Sequence, residues 1–137
     1  MENPKFDFIF LGQSILKYQV PLDIFMTINH IYDVNKNRLD KANGQLVGKI
    51  EDEHSLFYQG ADQTKMKNHN RLPRTVTGYF MEMFNHYLRF NKIRDYETHL
   101  NSIWVNEMKQ HEYNPAHIHR GMLFTGLSSV MILKLPS

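Results

Sequence analysis

The chain contains no cysteine. Disulfides, thiolate metal sites and cysteine nucleophiles are therefore excluded. Any metal has to be held by His, Asp or Glu. No run of eighteen apolar residues occurs, so the sequence offers no membrane-spanning helix. The start, Met1-Glu2-Asn3-Pro4-Lys5, lacks the basic-then-apolar order of a secretory signal. Excess charge is scarce too. Sixteen Lys and Arg stand against 14 Asp and Glu, a net +2 with eight neutral His. That balance is too small to argue for nucleic acid or an anionic membrane as partner. There is no repeat, no low-complexity tract and no Gly/Ser- or Pro-rich linker. What remains is 137 residues, 42% hydrophobic and 22% charged. That is the length and composition of one globular domain. A reducing, cytoplasmic setting fits a chain without cysteine.

Periodicity then divides the chain. From Phe6 to Val20 it reads as extended, broken at Gly12. Leu16, Tyr18 and Val20 alternate with Lys17 and Gln19, the period of a half-buried strand. Pro21 ends it, and Pro21 with Asp23 suits a helix start. Ile24, Phe25, Ile28, Ile31 and Tyr32 recur at helical spacing, which predicts a helix from about 22 to 34. Residues 35 to 72 are polar, with a turn signal at Asn43-Gly44. Leu46 to Ile50 and Leu56 to Tyr58 read as short strands or irregular chain. A second helix is expected from about 73 to 91, on Val76, Tyr79, Phe80, Met83, Phe84, Tyr87 and Leu88. Its aromatic and Met stripe reads as core. After Asp95 the period becomes two. Ile103, Val105, Glu107 and Lys109 fall on one face, and Ser102, Trp104, Asn106 and Met108 on the other. That predicts a long strand running to a turn at Asn114-Pro115, then a β-rich run from Met122 to Leu135. The order implies an α+β fold in one domain spanning 1–137. A helix-containing part to about 95 is followed by a β part from about 96.

The chemistry concentrates in Tyr113-Asn-Pro-Ala-His117-Ile118-His119-Arg-Gly121. Residues i and i+2 of a strand point to the same face, so His117 and His119 can aim two imidazoles at one cation. Neutral imidazoles suit iron, zinc, copper or nickel. Pro115 pins the chain before the pair and Gly121 permits a turn after it. Trp104 and Asn106, on the preceding strand, and Tyr113 are candidates for the walls of the same pocket.

These stretches, together with Phe124-Thr125-Gly126-Leu127-Ser128-Ser129-Val130 and Leu133-Lys134-Leu135-Pro136, resemble the iron(II)- and 2-oxoglutarate-dependent oxygenases. More closely, the chain resembles small members of that superfamily encoded by tailed phages and marine bacteria. The likeness covers about residues 100 to 136. It implies a double-stranded β-helix, the jelly roll shared with cupins, partial in this chain and braced by the two helices. It also implies iron(II), with 2-oxoglutarate and O2 as co-substrates of a hydroxylating dioxygenase in the host cytoplasm. The primary substrate is not implied. His117 stands as the first iron ligand and His119 where most members have a carboxylate; Trp104, Asn106 and Tyr113 would line the cofactor pocket. The chain departs from the pattern at that second ligand, at Leu127 to Ser129 where an aromatic pair is usual, and after Arg120, where no distal His and no further Arg follow. The apolar run Val130 to Pro136 would be an exposed edge unless another strand covers it. Truncation of the chain before its natural end is expected, or a second copy as the cover.

Other constellations are weaker. His111, Glu112 and His99 are alternative third ligands, while His30, His54, His69 and His86 read as surface or helix residues. Glu51, Asp52 and Glu53 read as a solvated turn, and Lys65, Lys67, Arg71 and Arg74 as a solvated basic loop. No nucleophile elbow surrounds Ser128 or Ser129, and no phosphate-binding glycine loop is present. The competing expectation is a non-catalytic β-sandwich, a phage structural or accessory protein in which the His pair is merely structural.

Overall fold

A computed structural model describes residues 4–10, 14–39, 50–58, 71–115 and 126–136. Its elements are β1 (Phe6–Phe10), β2 (Ser14–Tyr18), α1 (Leu22–Asn35), β3 (Asp52–Tyr58), α2 (Arg74–Phe90) and β4 (Ser102–Glu107). The α+β class is thus what the sequence implied: two helices and two small antiparallel sheets, β1-β2 and β3-β4. Both helices fall within a residue of their expected bounds. No helix among the described residues is long and apolar enough to cross a membrane. The chain forms two compact units, Met1–Ile28 with Pro73–Leu100 and Asn29–Leu72 with Asn101–Ser137.

In the first unit, β1 and β2 form a hairpin in unbroken register, from Phe6 opposite Tyr18 to Phe10 opposite Ser14. The strand begins at Ser14 and stops at Tyr18, two residues short of the Val20 that alternation alone would include. Side chains at the hairpin's ends engage α2. The Phe6 ring lies 5.0 Å from that of His86 and 5.8 Å from that of Phe90. Tyr18 Oη and His86 Nδ1 are 2.7 Å apart. Tyr87 donates to the Ser14 carbonyl at 2.9 Å, and the Ser14 hydroxyl donates to Asn91 Oδ1. Helix α2 starts at Pro73, whose missing N–H costs nothing there and whose carbonyl accepts from Val76 and Thr77. It ends with Lys92 in the left-handed region (φ 57°). The Lys92 N–H reaches the Arg89 carbonyl and the Ile93 N–H reaches that of Leu88. This is a Schellman ending with a lysine in the place usually held by glycine. Val76 and Leu88 of its stripe are buried.

In the second unit, β3 pairs with β4: Asp52 with Glu107, Glu53 with Asn106, His54 with Val105, Ser55 with Trp104. The register then shifts, so that Phe57 faces Ile103 and Tyr58 faces Ser102. Leu56 is the extra residue of this bulge, and its side chain is completely buried. Its carbonyl, released from the ladder, accepts from the Arg71 N–H at 3.0 Å. Strand alternation sets two faces. Asp52, His54, Val105 and Glu107 lie on one, and Glu53, Ser55, Trp104 and Asn106 on the other.

Four expectations need correction. Asp52 and Glu53 are not a solvated turn but the start of β3, and Glu53 is only 4% exposed. His54 is not a surface residue either; it is buried in the same strand. Three acids in a row gave no sign that a partner strand, remote in sequence, would cover them. The long strand expected to approach Asn114 stops at Glu107. A turn over Lys109–Glu112 ends it, with the Glu112 N–H bound to the Lys109 carbonyl and His111 at φ 71°. Finally, the described part of the expected C-terminal β-rich run, 126–136, contains no strand. A β-like sequence forms a strand only where a partner supplies the ladder.

Candidate functional site

His117 and His119 lie outside the described residues. The candidate pocket residues on β4 are described. Trp104 and Asn106 occupy the same face and are half-buried. Directly across from them stand Ser55 and Glu53, 3% and 4% exposed. The Asn106 Oδ1 is buried and has no hydrogen-bond partner among the described residues. Tyr113 lies beyond the Lys109–Glu112 turn and is 58% exposed. The structure therefore brings together two of the three expected pocket residues and adds a buried carboxylate and a buried hydroxyl. Glu53 and Ser55 were missed from sequence because the signal that finds them, the pairing of β3 with β4, is long-range.

The opposite face opens into a groove of about 450 Å³, lined by Tyr32, Lys36, Asp52, His54, Glu107 and Lys109 among others. Three of its charged groups, Asp52, Glu107 and Lys109, are engaged. Lys109 Nζ lies 2.7 Å from Asp52 Oδ2 and 3.8 Å from Glu51 Oε2. Both contacts raise the Lys109 pKa, the Asp52 hydrogen bond most. Tyr32 donates to Glu107 Oε2 at 2.9 Å. Burial first, then that hydrogen bond, pushes the Tyr32 phenol well up from its usual value. The His54 ring packs 5.9 Å from that of Tyr32. Such a network of paired charges holds a helix against a sheet.

The alternative third ligands are dispersed. Glu112 accepts backbone N–H bonds from Lys109 at 2.7 Å and Glu51 at 3.1 Å, which hold its carboxyl below the usual range. It works as a clasp for the turn. His111 is exposed at its strained position, and His99 is exposed beside Glu97 at 3.3 Å. His86 is half-buried against the hairpin, and His30 is exposed on α1. Among the described residues no three His, Asp or Glu side chains are grouped to hold a metal ion. The chain matches no protein-family model, no curated protein and no solved structure.

Proposed function

We propose that this chain is a non-haem iron(II), 2-oxoglutarate-dependent oxygenase, or the N-terminal part of one, built on a double-stranded β-helix. His117 and His119 would hold the iron. Two neutral imidazoles spaced i and i+2 are a donor set that fits iron(II). Support comes from one observation: Trp104 and Asn106, the two residues expected to line the pocket from β4, share a face, and the Asn106 amide oxygen is buried with no partner among the described residues. A buried acceptor of this kind is costly unless something completes it. When bound, iron(II) supplies the activation of O2 that couples decarboxylation of 2-oxoglutarate to hydroxylation of a C–H bond. The chain's own residues do the rest. The Trp104 indole excludes water and offers a flat wall. The Asn106 amide orients a polar group, and Tyr113 offers a phenol at the rim. The exposed apolar residues Val130, Ile132 and Leu135 would be covered by further strands of the β-helix or by a second copy. A cytoplasmic location belongs to the same proposal.

Anaerobic titration with iron(II) and 2-oxoglutarate tests it. The intact protein is expected to develop a metal-to-ligand absorption band, and His117→Ala to lose it. A folded intact protein with no band would end the oxygenase reading and leave the accessory β-sandwich in its place.

A further inference from the structure

We infer that the groove lined by the end of α1 and the β3-β4 sheet binds a free α-amino acid with an apolar or aromatic side chain, whose carboxylate meets Lys36 and whose ammonium meets Glu107. The groove lies on the sheet face opposite Trp104 and Asn106, so it stands apart from the iron-binding proposal. Its volume, about 450 Å³, is that of a small-molecule pocket. Two of its charges are left over. Lys36 is exposed in the groove, and its ammonium has no ion-pair or hydrogen-bond partner among the described residues. Glu107 enters from β4, and among the described residues its carboxylate is held by the neutral Tyr32 hydroxyl alone, at 2.9 Å. Asp52 and Lys109, by contrast, offset each other at 2.7 Å. One positive and one negative group thus stand uncompensated in one groove, on two different elements, without pairing with each other.

The local fold sets the spacing of the two charges. Lys36 follows Tyr32 by four residues, and its N–H reaches the Tyr32 carbonyl at 2.8 Å, so the helical path continues through it. Residues so related are neighbours on one helix face, with Cβ atoms about 5–6 Å apart. Lys36 is therefore rooted one helical turn beyond the residue that holds Glu107. A ligand of a single sign would be drawn to one of these groups and repelled by the other. A small zwitterion satisfies both at once. Asn37, exposed at the same groove, adds an amide donor beside Lys36 for the carboxylate. The rest of the lining suits an apolar side chain. The rings of Tyr32 and His54 lie 5.9 Å apart, and Leu39 is buried at the groove's wall.

Calorimetric titration of the whole chain with the apolar and aromatic L-amino acids, one at a time, tests this. At least one is expected to bind saturably. Its amide, which lacks the carboxylate, and its N-acetyl derivative, which lacks the ammonium, are each expected to bind at least about ten-fold more weakly. Lys36→Met should weaken the free amino acid by a similar factor and leave the amide unchanged; Glu107→Gln should do the same for the N-acetyl derivative. Binding by none of these amino acids overturns the proposal. So does an amide that binds as tightly as the free acid, or a Lys36→Met protein that does not discriminate from the parent. If Glu107→Gln unfolds the chain by disturbing the Tyr32 bond, Lys36→Met decides alone, because its ammonium is bonded to no described residue and its far-UV circular dichroism should match the parent's.

Discussion

The two sheets have the same number of strands and opposite designs. In β1-β2 only residues 11–13 separate the strands, and the ladder is unbroken. In β3-β4 the strands are parted by all of α2, and the ladder is bulged. The hairpin leaves Phe8, Ile9 and Ile15 exposed, and it is tied down at its ends by rings and hydroxyls. The remote pair buries five successive residues, Glu53 to Phe57. The difference follows from chain entropy. A short loop is cheap to close, so a hairpin with a few side-chain ties suffices. A long closure has to be offset by burial, and the burial is so complete that polar side chains are included. Polar groups kept at such depth are where function is to be sought.

Breaking the remote sheet should have the largest effect. Leu56→Ala empties a fully buried site at the bulge and is expected to cost about 3 kcal/mol in urea unfolding. A loss below about 1 kcal/mol would mean the bulge is not the anchor. The hairpin should yield less. Tyr18→Phe removes the hydroxyl beside His86 and is expected to cost about 1 kcal/mol at neutral pH. It should also change the alkaline behaviour. Burial above all, with smaller contributions from nearby charged groups, pushes the Tyr18 pKa up to about 12. The folded state therefore keeps this proton where the unfolded chain has released it. Its contribution is whole below about pH 10 and declines as pH rises towards 12. Thermal melts between those values should fall less steeply for Tyr18→Phe than for the parent. The smallest change strengthens the helix that carries the hairpin. Lys92→Gly relieves a left-handed lysine and should add about 0.5–1 kcal/mol, readable as a raised melting temperature.

Legibility in the sequence tracked the range of the interaction. Helices α1 and α2 were readable because 3.6-residue periodicity is local: Ile24, Ile28 and Tyr32, then Val76 and Leu88 with the half-buried stripe between them, announce their inward faces alone. The alternation of Trp104 and Asn106 against Val105 and Glu107 was readable for the same reason. What lay hidden was pairing. Asp52-Glu53-His54-Ser55 looks like water-exposed chain until β4 is set against it. The run Val130 to Leu135 looks like a strand and, with no ladder partner among the described residues, is none. Of the candidate site, the H-x-H pair and two wall residues could be named from sequence. The buried carboxylate opposite them could not, because no local pattern distinguishes Glu53 from Glu51.

The bulge at Leu56 acts as a phase shifter between two halves of one strand. Upstream of it, odd-numbered positions look towards Trp104; downstream, the even-numbered Tyr58 takes that side. Deleting that single leucine would close the ladder with Glu53 and Ser55 still towards Trp104 and Phe57 still on the other side. The polarity of the two surfaces is thus set by the paired residues, and the extra one is left to serve burial alone.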